Sequence, residues 1–383
     1  MADTAPLAGI RVIDLGWLTA GAASSTLLLD LGAEVIKIEG PGALDPFRDW
    51  TGADGGTDWW NRSPFYNFTN RGKRSVCLDL KDPRGQAVIL RLLESADVLV
   101  ENFRRGILDD FGLSPRLLRE KFPRLIIASI SSQGMDGPDR DMVSFGSTLE
   151  ATGGLAALTG PSDGEALITG RNINYPDQVV CLFASGAIVS ALARRDQTGE
   201  GAHLDLSQRE LTSFLLGEEL IAEAAGLASK RMANASVDDL EEMVVQQDGK
   251  WLACSINCEV PVRDGTALAA SPEFNAGTAI LHDPDGTPAK GIPFRFASRP
   301  PKILSGCAEL GADNLDVLTK ADLSSEEIAA LQDNGILAKA PRRGPARWVP
   351  STSLQTCWSA PSLPTGPTRN GRATLSSPLF MYR

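Results

Sequence analysis

Histidine is nearly missing from this chain: His203 and His282 are the two such residues in 383. That leaves little material for imidazole-based acid–base chemistry or for a histidine-rich metal site. Cysteine is present but without pattern. The six thiols, at positions 77, 181, 254, 258, 307 and 357, are scattered, and Cys254 and Cys258 form a lone C-x3-C with no second pair and no nearby histidine cluster. Such spacing argues against a zinc site and fits free thiols in a reducing compartment. Positive charge is also short, 37 Lys and Arg against 48 Asp and Glu, for a formal net charge of −11. A nucleic-acid binder needs a basic face to neutralise phosphates, so that class is set aside. An anionic ligand would have to be held locally, by single Lys or Arg side chains and by helix N-termini.

Long apolar runs are absent too. No stretch approaches eighteen consecutive apolar residues, and the opening "MADTAPLAGIRVIDLG" has no basic segment ahead of an apolar one. The sequence therefore predicts no membrane span, no leader peptide and a cytoplasmic location. No G-x-G-x-x-G follows the first strand-like segment and no G-x4-G-K-[ST] occurs, which argues against a nicotinamide site and a phosphate loop. Residues 339–383 lack any acid and are rich in Pro, Ser and Arg. They predict an atypical, disordered tail.

What is present is the composition of a folded protein, 43% hydrophobic and 22% charged, long enough for about two domains. "GIRVIDLG" reads as a strand, "AGAASSTLLLDLGA" as a helix and "EVIKIE" as a second strand. "KRSVCLDL", "PRGQAVILRLLESA" and "DVLVENF" repeat the alternation, as do "SPRLLREKFP" and "LIIASISS". Strands alternating with helices predict an α/β fold with a doubly wound, mostly parallel, Rossmann-like sheet. Ligands of such sheets lie beyond the carboxyl ends of the strands, here the loops "DLGWLTAG", "IEGPG", "DLKDPRG", "ENFRRG" and "SISSQGMDGP". From about Lys230 "DGKWLACSI" reads as a strand opening a second, smaller α/β domain, "PDGTPAKGIPFRF" as a hairpin and "SSEEIAALQDNGIL" as a capped helix with Gly335 near its end.

One acid stands out. In "NINYPDQVVCLFASGAIVSALARR", Asp177 follows Pro176 and precedes a run of small and apolar residues predicted to be helical to about Arg195. A carboxylate there can cap the helix by accepting first-turn N–H groups. It is also desolvated and fixed in aim, which suits a nucleophile. The two roles do not exclude each other.

The blocks "PLAGIRVIDLG…AGAASSTLLLDLGAEVIKIEGP", "NRGKRSVCLDLKDPRG", "ADVLVENFRRGILDDFGL", "PRLIIASISSQGMDGP" and "GEGAHLDLSQRE" resemble the successive blocks of the class III CoA-transferases, the CaiB/BaiF family. That family includes formyl-CoA, carnitine and benzylsuccinate transferases and the 2-methylacyl-CoA racemases. The resemblance is nearly continuous over residues 6–220 and returns from "DGKWLACSI" to "NGIL". It implies that Asp177 is the nucleophile, that coenzyme A or acyl-CoA is a substrate, and that no metal or permanently bound cofactor is needed. It further implies that Leu78 and Lys81 hold the adenine and its phosphates, and that Asn102 and Phe103 grip the nucleotide half. Thr19 stands where some relatives carry glutamine, and its hydroxyl can still donate to an anhydride oxygen. Gly40 replaces an arginine of some relatives, and the second domain is shorter than usual.

The resemblance also implies an interlocked dimer, a homodimer or a heterodimer with a related subunit, acting on acyl-CoA and carboxylic acid substrates. The domain layout it predicts is a large CoA-binding domain at 1–225, the shortened small domain at 226–300, a linker and helix returning to the large domain at 301–338, and the tail at 339–383. "WWNRSPFYNFTNRGKRSV" and "NINYPDQVV" bring succinyl-CoA-dependent enzymes of benzylsuccinate-type acids to the fore. Trp59, Trp60, Phe65, Tyr66 and Phe68 are then candidates to cover an aromatic acceptor, or simply to pack a lid on its own core. Two alternatives stay open: a racemase, for which "RDMVSFGSTLEATGG" supplies no histidine, and a non-catalytic subunit that braces an active partner.

Overall fold

The computed structural model describes residues 5–50, 56–162, 164–169, 174–227, 231, 244–247, 250–255, 258–275, 279–292, 296, 302–342 and 344. Residues 1–345 form one compact unit, and 346–383, most of the sequence-predicted tail, lie outside the described residues.

The first half alternates as its sequence predicts. It runs β1 (Arg11–Asp14), α1 (Ala20–Asp30), β2 (Glu34–Glu39), α2 (Pro64–Asn70), β3 (Arg74–Cys77), α3 (Pro83–Leu93), β4 (Val98–Glu101), α4 (Ile107–Asp110), α5 (Pro115–Lys121) and β5 (Ile126–Ser131). It continues through α6 (Gly146–Thr152), α7 (Leu155–Leu158), α8 (Tyr175–Thr198), β6 (Ala202–Ser207), α9 (Gln208–Phe214) and α10 (Gly217–Ala224). Strands β1 to β6 make one parallel sheet in the order β3-β2-β1-β4-β5-β6. The order reverses between β1 and β4, so the crevice expected of a doubly wound sheet opens beyond the ends of those two strands.

Period-two alternation sorts each strand's side chains onto two cores. Ile13, Ile36, Ile38, Val76, Leu99 and Ile127 face one core with Val88, Ile89, Leu92 and Leu93 of α3. Val12, Val35, Val98, Val100, Ile126 and Ala128 face the other, with Leu28 of α1 and Val180, Ala184, Ile188 and Leu192 of α8. Helix starts follow local chemistry: Asp82 and Ser114 cap α3 and α5 ahead of Pro83 and Pro115.

Beyond α10, β7 (Val244–Gln247), β8 (Lys250–Ser255) and β9 (Cys258–Pro261) form an antiparallel sheet, followed by α11 (Gly265–Ala269) and α12 (Pro272–Asn275). The hairpin expected within 284–296 forms further upstream, β10 (Ile280–His282) pairing with β11 (Pro288–Lys290), because the Asp283–Thr287 stretch makes the turn; 293–295 lie outside the described residues. The chain then returns to the large sheet through α13 (Asn314–Lys320) and α14 (Ser325–Asp333), the latter opened by a capping box of Ser324 and Glu327. Asn314 and Asp313 bond to the backbone of β3, and Leu337 bridges to Leu78. Residues 339–342 still belong to this fold, because Arg342 reaches Asp79, Gly335 O and Pro41 O.

Candidate active site

Asp177 sits in the first turn of α8, at the carboxyl edge of the sheet. The cap of that helix is Asn174, held at φ 51, and its side chain makes no cap bond. Asn tolerates the left-handed region better than most residues. Its side chain turns back instead, and Nδ2 donates to Asp177 Oδ2 at 2.6 Å. Among the described residues the carboxylate accepts from the Asn174 side chain and from no first-turn N–H. Gly146 at the start of α6 makes room for this, since a Cβ there would lie 2.0 Å from Asn174 Oδ1. Burial pushes the Asp177 carboxyl up to about 6, with the Asn174 bond opposing the shift. Its ionised form is thus less stabilised, and more reactive, than that of a solvated Asp.

The first turns of α1 and α8 lie side by side. Cys181 Sγ contacts both Thr19 O at 3.5 Å and Asp177 O at 2.8 Å, and one turn on, Ser185 Oγ donates to Ser24 O at 3.2 Å. The second contact lies four residues further along α8 and five further along α1, so the helices run parallel and both positive dipole ends point at the carboxyl edge. Thr19 is the N-cap residue of α1, and its side chain makes no cap bond. Its hydroxyl is not committed to the helix it precedes.

Asn102 and Phe103, at the end of β4, stand across the crevice from this turn and brace it. Trp17 N donates to Asn102 Oδ1 at 2.6 Å, and Asn102 Nδ2 donates to Trp17 O at 3.0 Å. Phe103 packs edge-on against Trp17 with centroids 5.5 Å apart. Gly21 permits the approach, because a Cβ there would lie 2.6 Å from Asn102 Oδ1. The Asn102 amide side chain is therefore occupied by protein. Leu78 is fully buried in the core beside α3, so its side chain faces no solvent. Lys81 is exposed on the turn between β3 and α3, where its N–H donates to Asp79 Oδ1 at 3.0 Å. The structure thus brings Thr19, Asn102, Phe103 and Asp177 to one end of the crevice and sets Lys81 at the end of the sheet's outer strand.

A group that the sequence reading did not single out lies beneath the loop after β1. Lys37 Nζ pairs with Asp45 at 3.2 Å, Lys73 Nζ with Asp14 at 2.8 Å, and Arg48 with Glu39 at 2.8 Å, all buried. Tyr66 donates to Glu39 Oε2 at 2.6 Å, and the Arg48 guanidinium lies over the Tyr66 ring. Burial works against the Glu39 carboxylate, yet Arg48 and Lys37 outweigh it and bring it down to about 2. Burial lowers Lys73 to about 8 against the pull of Asp14. The available signal was "EVIKIE", with Lys37 and Glu39 on one face of a strand that is otherwise apolar there. Of the aromatic loop residues, Trp59 and Tyr66 are core, whereas Phe65 and Phe68 are exposed. The two histidines lie apart: His203 on β6 has Nε2 at 3.0 Å from Ser129 Oγ, and His282 is exposed on β10.

The sequence profile of CoA-transferase family III matches residues 7–280. The succinate–glutarate CoA-transferase of Agrobacterium fabrum is 36% identical over 56% of this chain and 54% of its own length. The succinyl-CoA–D-citramalate CoA-transferase of Chloroflexus aurantiacus is 36% identical over 66% of this chain and 62% of its own length. The chain thus spans little more than half the length of these curated relatives. Among solved structures, a CAIB/BAIF family protein from Brucella suis superposes with a TM-score of 0.77 at 25% identity, over 84% of this chain and 100% of that one. With the matched profile covering most of its length, the chain belongs to CoA-transferase family III.

Proposed function

We propose that this protein is a class III CoA-transferase in which Asp177 carries the acyl group and then CoA. The observation that carries the reading is Asp177 itself: a carboxylate aimed by Asn174, raised to about 6 by burial, at the paired N-termini of α1 and α8. An Asp177 oxygen attacks the thioester carbonyl of the donor, the C–S bond breaks, and an aspartyl mixed anhydride and CoA thiolate result. The thiolate attacks the aspartyl carbonyl, releasing the donor acid as its carboxylate and leaving an aspartyl-CoA thioester. The acceptor carboxylate attacks that thioester and expels the thiolate again. The thiolate then takes the acceptor acyl group from the second anhydride, which restores the Asp177 carboxylate. Each tetrahedral centre develops an oxyanion, for which the Thr19 hydroxyl and the two helix dipoles are the positive groups at hand.

CoA and acyl-CoA enter as substrates, along the strand ends, with Lys81 as a point charge for a phosphate and the loop of Asn102 and Phe103 beside the nucleotide. Leu78 contributes by shaping the fold under that strand end. The names of the relatives support succinyl-CoA as donor and a small carboxylic acid as acceptor. The predicted small domain at 226–300 is part of the same proposal, as cover for the acceptor.

A dimer belongs to the proposal as well. Leu182 and Phe183 of α8 are exposed beside Phe214, whose ring meets that of Phe183 at 5.7 Å, and Leu220 and Ile221 of α10 are exposed with them. Exposed apolar side chains of that kind suit a second copy of the chain or a related subunit. Helix α8 is long and apolar enough to span a membrane, but half of that window is buried inside the protein, as expected of a core helix.

The test is chemical. Wild-type protein incubated with succinyl-CoA and then hydroxylamine yields a hydroxamate on the peptide carrying Asp177, detected by mass. Asp177→Asn folds and binds CoA, yields no adduct, and loses transfer by at least about 10³-fold. Near-wild-type transfer by the Asn variant sinks the assignment. Because the carboxylate must be ionised to attack, transfer by the wild type declines as pH falls through about 6, well above the range of an ordinary Asp.

A further inference from the structure

The turn between β1 and α1 is held from below by two buried side chains. Lys37 Nζ donates to Gly16 O, and Asp45 accepts from Leu18 N–H with both oxygens at 3.1 Å. Asp45 also accepts from Phe47 N–H at 3.0 Å and pairs with Lys37 at 3.2 Å, so neither group is free to move. Both are almost wholly excluded from solvent, 1% and 0% exposed. Between their two anchor points the backbone does something costly: Leu18 adopts φ 55, a left-handed conformation at a residue with a branched side chain and no local polar group to support it. The next residue is Thr19, and after it α1 begins without a side-chain cap.

A buried ion pair is a poor way to fill space, since apolar side chains of similar volume avoid the desolvation cost. This pair is aimed at backbone atoms of one turn, on either side of Trp17. Resting on the reading of Asp177 as nucleophile, we propose that Lys37 and Asp45 are positioning residues: they hold Leu18 in the left-handed region so that Thr19 and the open first turn of α1 face the first turn of α8. With the turn relaxed to negative φ, Thr19 and the first α1 amides shift relative to Asp177, and misplacement on the ångström scale is enough to slow chemistry about 100-fold.

The experiment uses the full chain and four variants: Leu18→Val, Leu18→Gly, Asp45→Asn, and Asp45→Asn combined with Leu18→Gly. Leu18 is partly exposed, so the first two variants leave the buried pair intact. The readouts are the rate of hydroxylamine trapping at saturating succinyl-CoA, the KM for succinyl-CoA, and hydrogen exchange of the Leu18 amide. β-Branched Val resists positive φ and Gly accepts it freely. Leu18→Val therefore slows trapping by about 10- to 100-fold with KM within about threefold of wild type, while Leu18→Gly stays within about threefold in both. Asp45→Asn slows trapping and speeds Leu18 exchange by about tenfold or more, and the added Leu18→Gly restores trapping at least in part, which a general loss of stability would not allow. Trapping at the wild-type rate by Leu18→Val, or by a folded Asp45→Asn, overturns the proposal. An Asp45→Asn chain that does not fold leaves the Leu18 pair of variants to decide. If wild-type protein forms no adduct at Asp177, the nucleophile reading fails by itself. The exchange arm still judges the clamp: unchanged Leu18 exchange in Asp45→Asn overturns it, and faster exchange upholds it.

Discussion

The two faces of β1, β2 and β3 are equally buried and chemically opposite. Toward α3 the strands present Ile13, Ile36, Ile38 and Val76, continued by Leu15 and Leu78 just past their ends. Toward α1 and α2 the same strands begin with Val12 and Val35, then place Asp14, Lys37 and Glu39 as they near the carboxyl edge. The first face gains stability from dispersion and the exclusion of water, and tolerates substitutions of similar volume. The second replaces those gains by ion pairs, whose mutual attraction roughly offsets their desolvation. What such pairs supply is direction: each fixes the other's geometry and that of the backbone it touches. They sit beneath the loop that faces Asp177, where direction matters most.

The sharpest way to break this contrast is to unpair one charge. Arg48→Met leaves Glu39 buried with Tyr66, the Asp45 N–H and the more distant Lys37 as its remaining support, and is expected to cost about 3 to 5 kcal/mol in urea unfolding. Replacing Glu39 and Arg48 together by Met recovers most of that loss, because no charge is then stranded. A single variant as mild as a surface substitution would show that the charged face is solvated and unlike the apolar one. On the apolar face, Ile38→Val removes one methylene from beside α3 and is expected to cost about 0.5 to 1.5 kcal/mol, with no effect on transfer.

Lysines allow a second contrast, between buried and exposed positions. Lys37 and Lys73 are buried with carboxylate partners, whereas Lys81 is exposed one turn beyond β3. Lys81→Ala is expected to leave the melting temperature in place and to weaken CoA binding, measured by calorimetry, by about 1 kcal/mol, the low end for a charge-assisted bond at an exposed site. Unchanged CoA affinity returns Lys81 to the solvated surface.

These differences mark what could be read in advance. The strand–helix alternation was legible because each core-facing run obeys its own period, 2 for strands such as "EVIKIE" and 3.6 for α3. Asp177 was legible as a position, after Pro176 and before an apolar helix. That it is steered by Asn174 was not, because the left-handed turn at Asn174 leaves no signature beyond the residue type. The ion pairs were hidden for a different reason. Lys37 finds Asp45 eight residues on, Glu39 finds Tyr66 at a separation of 27, and Lys73 finds Asp14 at 59. Only the fold brings these partners together. Asn102, expected to grip a nucleotide, is held by Trp17 across the crevice, a contact 85 residues apart in sequence.

The smallest expected effect sets the buried Glu39 against the half-buried Asp177. Arg48 and Lys37 hold Glu39 at about 2, below its ordinary 4.5, so Glu39 contributes stability that is fully present above its unfolded value and is lost as pH falls through about 2. Asp177 is shifted the other way, to about 6 from 3.8, since desolvation outweighs its bond from Asn174. The folded state then binds the proton more tightly than the unfolded chain does. Its favourable contribution is complete below about 3.8 and is lost as pH rises through about 6, so the ionised acid is a cost at neutral pH. Asn has nearly the same shape, keeps an oxygen for the Asn174 amide, and carries no charge. Asp177→Asn should therefore melt slightly above wild type at pH 8, the gap should narrow through pH 6, and it should close by pH 4. Thermal melts at those three pH values read the pattern directly. A gap that is constant with pH would mean that the Asp177 carboxylate is solvated after all, and would remove the strain that distinguishes it from Glu39.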